Sequence, residues 1–191
     1  VLEVTEKCNL RCKYCIYNEN HPEFRNFSHK NMEFKVAQKA IKFLKNHSGT
    51  ESVFIGFYGG EPLMNFDLVK KLVAYGREEE KKYDKHFRFT ITTNGVLLDD
   101  EIQDFINENM DNVVLSIDGR KDINDEMRPT TNGKGSYDII VPKFKELIDK
   151  RGDKDYFIRG TFTNENLDFS EDLKDFYSHG FKKTSIEPVV T

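Results

Sequence analysis

Three cysteines stand close together as Cys8-Asn-Leu-Arg-Cys12-Lys-Tyr-Cys15, a C-x3-C-x2-C run, and the chain contains no other cysteine. An odd, clustered set does not make a disulfide framework. Three thiolates on one short loop can converge on a single centre, and thiolate is the usual protein ligand of iron–sulfur clusters. Three ligands for a four-iron cube leave one iron open to an outside ligand, whereas an electron-transfer cluster normally uses four cysteines. The alternative is a structural zinc site built from Cys8, Cys12, Cys15 and His21. Such sites are closed and four-coordinate, commonly from paired C-x2-4-C and H-x3-5-H units, and only half of that pattern is present.

Further chemistry-bearing residues recur along the chain. Gly59-Gly60-Glu61-Pro62 joins two glycines, which permit positive φ and close backbone approach to a ligand, to a carboxylate suited to an ammonium group. Thr93-Asn94-Gly95 and Ser116-Ile117-Asp118-Gly119 follow, then Arg128-Pro129 and Gly133-Lys-Gly135-Ser-Tyr137. The planar fork of Arg128 matches a carboxylate. Taken singly these residues read as turns, a strand-end hydroxyl and a surface ion pair. Arg159 and Glu187 are charged residues within strand-like segments, costly there unless paired or functional. Pairing of Arg159 with Asp118 or Glu187 stands beside a direct ligand role. The five histidines form no constellation, although His21 and His29 lie in the loop after the cysteines. The run Arg77–Lys82 (REEEKK) reads as a solvated helix face with i,i+4 pairs.

These residues need elements to position them. Period-two segments at 1–5, 52–58, 87–93, 112–117, 156–163 and 184–190 predict six strands. Five helices are predicted between them. Residues 32–47 carry Val36, Ala37, Ala40, Ile41 and Leu44 on one face; residues 67–83 carry Leu68, Val69, Leu72, Val73 and Gly76, with Asp67 as N-cap. Residues 99–107 turn Ile102, Phe105 and Ile106 inward. Ser136 caps a helix bearing Ile140, Val141, Phe144 and Leu147, and 170–178 forms a short last helix. Alternation of this kind implies β-α-β units and a parallel sheet, either open and doubly wound or curled into a barrel. In both, ligands sit at the carboxyl ends of the strands, where each motif above falls.

The 191 residues suit one domain, and the formal net charge of −4 argues against a dedicated nucleic-acid binder. Charged residues at 32% beside apolar residues at 37% suit a globular domain with a well-solvated outer face. No apolar run approaches the ~20 residues that span a bilayer, so no membrane association is expected. No secretion signal is visible, and clustered thiols without one point to a reducing cytoplasm. The chain opens on a strand-like segment without a methionine, which suggests a piece of a longer protein.

Together and in order, these motifs resemble those of the radical S-adenosylmethionine (radical SAM) superfamily, over nearly the whole of residues 1–191. The cysteine run resembles CxxxCxxC with an aromatic residue before the last cysteine, here Tyr14. The resemblance implies a 4Fe-4S cluster on Cys8, Cys12 and Cys15, with Tyr14 near the adenine of S-adenosylmethionine. Gly59, Gly60 and Glu61 would hold the methionine amino group; Asn94, Ser116 and Arg128 would complete the cofactor site, the last two toward its ribose and carboxylate. The segment from Ser116 to Tyr137 resembles SxDG…RP…GxGS(F/Y) of the members that carry a C-terminal cysteine-rich SPASM domain. The implied fold is a partial (β/α)6 TIM-like barrel, with the final helix and the SPASM extension outside this chain. Cys15-Ile-Tyr-Asn and Ile55-Gly-Phe-Tyr-Gly-Gly-Glu-Pro-Leu are most similar to maturases that form thioethers in ribosomally made peptides. That implies a 5′-deoxyadenosyl radical taking hydrogen from a peptide substrate, fed by an external one-electron donor. A formylglycine-forming anaerobic sulfatase-maturing enzyme is the second reading. A non-catalytic metal-binding or electron-transfer module is the reading from another class.

Overall fold

Exposure alternates residue by residue along the strands, and this alternation defines the architecture. The computed structural model describes residues 1–17 and 27–189. In strand β2 (Ser52–Gly59), Val53, Ile55 and Phe57 are buried while Phe54, between them, is 63% exposed. In β5 (Asp155–Phe162), Tyr156 and Ile158 are buried and Phe157 is 43% exposed. Successive side chains of a strand point to opposite faces, so one face of the sheet is packed and the other is open.

The remaining strands are β1 (Leu2–Thr5), β3 (His86–Thr93), β4 (Asn112–Ser116) and β6 (Thr184–Pro188). They lie in the order β1-β2-β3-β4-β5-β6, and every neighbouring pair is parallel. A doubly wound sheet would reverse its strand order at a switch point, and none occurs. Repeated crossovers of one hand instead stack all helices on one face and curl the sheet. Among the described residues β1 and β6 do not pair, so the curve stays open. The result is the partial TIM-like barrel that the resemblance implies.

The helices are α1 (Phe34–His47), α2 (Phe66–Glu80), α3 (Asp100–Asn109), α4 (Lys121–Met127), α5 (Tyr137–Arg151) and α6 (Phe169–Ser178). Val69, Leu72 and Val73 of α2 and Phe144 and Leu147 of α5 pack onto Phe57, Phe87, Phe89 and Ile91 in one continuous core. Gly76 in α2 has a physical reason: a Cβ there would meet Phe89 Cζ at 2.6 Å. No helix among the described residues is long and apolar enough to cross a membrane.

Several expectations need correction. In α1 the inward row is Ala37, Ile41 and Lys45; Val36 is 52% exposed and Leu44 also points outward. Lys45 is accepted there because its ammonium lies 3.0 Å from the buried Glu79 carboxylate and over the Tyr83 ring. Glu79 therefore departs from the solvated REEEKK face. Asn65, not Asp67, holds the N-cap position of α2. Helix α4 was not predicted, because KDINDEM is too short and polar to show an apolar period. His21 and Val190 lie outside the described residues.

Candidate active site

The cysteine loop follows β1 and is sewn to two neighbours. On one side, Gly60 N–H donates to the Thr5 carbonyl at 2.9 Å and Glu61 N–H to the Lys7 carbonyl at 2.7 Å. Gly59 takes φ +137°, and a Cβ on Gly59 or Gly60 would lie 2.2 Å from the Thr5 or Lys7 carbonyl oxygen. The close backbone approach expected of this glycine pair is thus made to the stem of the cysteine loop. On the other side, Arg11 N–H donates to the Pro129 carbonyl at 2.7 Å and Lys13 N–H to the Met127 carbonyl at 2.9 Å. Leu10 is wholly buried and anchors the loop between these seams.

The ten residues that the resemblance implies for the cluster and cofactor all line one cavity of about 420 Å³ on the open face: Cys8, Cys12, Tyr14 and Cys15 from the loop, Gly59, Gly60 and Glu61 after β2, Asn94 after β3, Ser116 at the end of β4, and Arg128 after α4. Arg159, Thr161 and Glu187 extend the wall along β5 and β6. Arg159 pairs with Glu187 and not with Asp118, and both are about half exposed. His29 does not line the cavity.

The two ionic residues deepest in the wall are strongly held. Glu61 is 1% exposed, and its oxygens accept from Leu63 N–H at 3.0 Å, Thr93 Oγ1 at 2.8 Å and Asn94 N–H at 2.7 Å. Burial pushes its carboxyl above the usual range against the pull of these donors. A carboxylate offers about four lone-pair sites, so capacity for one further donor remains. Asn94 also donates from Nδ2 to Asn9 Oδ1 at 2.8 Å, with Cys8 Sγ 3.9 Å away. Arg128 is 6% exposed and donates from Nη1 to the Tyr14 hydroxyl oxygen at 2.7 Å. That hydroxyl in turn donates to Asp118 Oδ2 at 2.7 Å.

Behind them lies a polar network whose members the sequence did not reveal as partners. Asn124 of α4 accepts from Asp118 N–H at 3.3 Å and donates to Ser136 Oγ at 3.1 Å, which donates to the Arg128 carbonyl at 2.8 Å. Ser136 precedes α5 but makes no side-chain cap; its hydroxyl serves the network. The SIDG, RP and GKGS segments are therefore one hydrogen-bonded unit. The available signal was the asparagine inside KDINDEM, a polar residue with no evident surface role.

The chemistry of the donor set fits an iron–sulfur cube and a polar cofactor. The three thiols are free of disulfides. Burial pushes Cys8 up to about 11 and Cys12 up to about 12, and also raises Cys15. Such groups are neutral thiols at pH 7, poor nucleophiles that need a metal's charge to become thiolates. Among the described residues no three His, Cys, Asp or Glu side chains converge on one point as ligands of a single ion do. A four-iron cube makes no such demand, since each cysteine takes a different iron. Arg128, which lines this cavity, has its Nε buried without a partner among the described residues, a donor suited to a ligand with acceptor groups.

Comparison with known proteins agrees with this geometry. The sequence model of the Radical SAM superfamily matches residues 2–176, and the chain belongs to that superfamily. An uncharacterized protein of Methanocaldococcus jannaschii is 35% identical over 98% of this chain and 61% of its own length. A cysteine-type anaerobic sulfatase-maturating enzyme of Clostridium novyi is 31% identical over 75% of this chain and 38% of its own length. The solved structure of native anSMEcpe with bound AdoMet and Cp18Cys peptide superposes with a TM-score of 0.84 at 25% identity, covering 98% of this chain and 49% of that one. The chain thus spans between about two fifths and three fifths of the length of these relatives. S-adenosylmethionine and a 4Fe-4S cluster are the family's cofactors, as the sequence motifs imply.

Proposed function

We propose that this chain is the core of an enzyme that reductively cleaves S-adenosylmethionine and takes a hydrogen atom from a peptide substrate. The observation that carries this reading is the meeting of all ten motif residues around one cavity of about 420 Å³. Cys8, Cys12 and Cys15 hold the cluster at three irons. Glu61 accepts from the cofactor's ammonium with its remaining lone pair, Ser116 faces its ribose, and Arg128 faces its carboxylate. Tyr14 lies against its adenine, and Gly59, Gly60 and Asn94 complete the wall. When bound and reduced by an external one-electron donor, the cluster and S-adenosylmethionine supply methionine and a 5′-deoxyadenosyl radical. The chain's own part is to fix the geometry and keep water from the reacting atoms. The substrate enters over the open face of the sheet, past Arg159 and Glu187.

The bond formed is assigned to a thioether in a ribosomally made peptide, on the strength of the CIYN and IGFYGGEPL segments. Formylglycine formation is the second reading, favoured by the likeness to the Clostridium novyi enzyme and to anSMEcpe. The test is anaerobic reconstitution of this chain for its iron content, then reduction of the full-length protein that contains it and incubation with S-adenosylmethionine and a cysteine-containing peptide. The expected results are about four irons per chain, 5′-deoxyadenosine, and a two-hydrogen mass loss with thiols consumed. A cysteine converted to formylglycine selects the second reading. A colourless protein holding stoichiometric zinc, or a Cys12→Ala variant that forms 5′-deoxyadenosine as fast as the parent, overturns the proposal.

A further inference from the structure

The Asp118 carboxylate is wholly buried behind the cavity wall, and nothing in the chemistry above uses it. We infer that Asp118 is a positioning residue: it fixes the Tyr14 hydroxyl and, through it, the Arg128 guanidinium, so that the cysteine loop and the cofactor-facing cation are held as one unit. This rests on the proposed function for the cofactor and on geometry alone for the tether.

Three segments far apart in sequence meet at one hydroxyl. Tyr14, on the cysteine loop, donates to Asp118 Oδ2 at 2.7 Å and accepts from Arg128 Nη1 at 2.7 Å. A hydroxyl with a cation on one side and a carboxylate on the other has one satisfactory rotor position. Asp118 is fixed in turn: Oδ1 accepts from Thr161 N–H of β5 at 3.1 Å and lies 3.6 Å from Arg128 Nη1. Asn124 and Ser136 close the circuit from Asp118 N–H back to the Arg128 carbonyl. The guanidinium is therefore held at its Nη1 end and at its backbone. Its Nε–H is buried with no acceptor among the described residues. The Arg128–Asp118 pair also meets directly at 3.6 Å, so what the Tyr14 hydroxyl adds, at 2.7 Å to each partner, is the link from that pair to the cysteine loop.

Two variants remove the tether at different points, Asp118→Asn and Tyr14→Phe. In anaerobically reconstituted protein both are expected to keep the parent's iron content. Both should weaken S-adenosylmethionine binding about tenfold, as expected for loss of one hydrogen bond to a charged group. The cofactor-induced change in the electron paramagnetic resonance spectrum of the reduced cluster should need correspondingly more S-adenosylmethionine. The double variant should be no weaker than either single one, because both break the same chain of contacts. Additive losses, or unchanged affinity in Tyr14→Phe, overturn the inference. If Asp118→Asn does not fold, Tyr14→Phe decides alone. A second measurement does not involve the cofactor. In iron-free protein, alkylation of Cys12 should speed up about tenfold in Tyr14→Phe through local opening of the loop, beyond any acceleration that the change in its global unfolding stability accounts for. Unchanged alkylation removes the tether. Faster alkylation in a protein whose parent form binds no S-adenosylmethionine leaves the tether standing and overturns the proposed function instead.

Discussion

The backbone N–H of Asn94 donates to Glu61 Oε2 at 2.7 Å, joining the turn after β3 to the turn after β2. With Thr93 Oγ1 and Leu63 N–H on the other oxygen, Glu61 ties two strand ends together as well as facing the cavity. Glu61→Gln replaces one accepting oxygen by an amino group opposite a donor. The iron-free variant is expected to lose ~1–3 kcal/mol, the cost of a buried unsatisfied donor. Urea unfolding measures it, and an unchanged midpoint would show that the carboxylate is not needed by the fold.

Arg128→Ala is expected to act twice. It removes a donor of the proposed cofactor site, which should weaken S-adenosylmethionine binding by ~1.5–3 kcal/mol. It also leaves the Asp118 carboxylate buried without its cation, which costs ~3–5 kcal/mol of stability. Calorimetric titration at a temperature where the variant stays folded separates the two. Unchanged affinity there removes Arg128 from the cofactor site.

Gly76→Ala tests the core. Alanine is better than glycine in a helix interior by ~1 kcal/mol. Its methyl would lie 2.6 Å from Phe89 Cζ, against a ring packed on Phe57 and Phe87. Overpacking of this kind costs ~1–3 kcal/mol, so the net effect is expected to be destabilising. A stabilised variant would show that α2 can move away from β3. Iron content after reconstitution should be unaffected.

The half-buried thiols give a pH dependence. Folding raises Cys8 to about 11 and Cys12 to about 12, against about 8.5 in the unfolded chain. Between those values the unfolded chain has released protons that the folded chain still holds. The iron-free protein is therefore expected to lose stability as pH rises from ~8.5 toward 11, and none from this source below it. Denaturation at several pH values, with a Cys8→Ala/Cys12→Ala variant as reference, measures the difference. A parent and variant that respond alike would show that folding does not raise the titration of these thiols.

The residues that face the cavity were legible because their types are rare and their order is fixed. Three clustered cysteines, a Gly-Gly-Glu after an apolar run and a serine at a strand end are local signals, as are the strand and helix periods that place them at strand ends. Arg128 taken singly read as a surface ion pair, and only its place in the ordered motifs marked it for the site, where it is in fact buried. The partners of these residues were not, since a hydrogen bond across 104 residues, such as Tyr14 to Asp118, leaves no trace in local spacing. The choice between a doubly wound sheet and a barrel likewise awaited the strand order, because alternating elements are common to both. Helix α4 and the Lys45–Glu79 pair were hidden for the same reason: neither short polar segments nor buried charges carry an apolar period. The sequence by itself determined which groups gather at the cavity and at which end of the sheet they stand. The tertiary structure alone decided how they are held, because that depends on contacts between segments brought together only when the sheet curls.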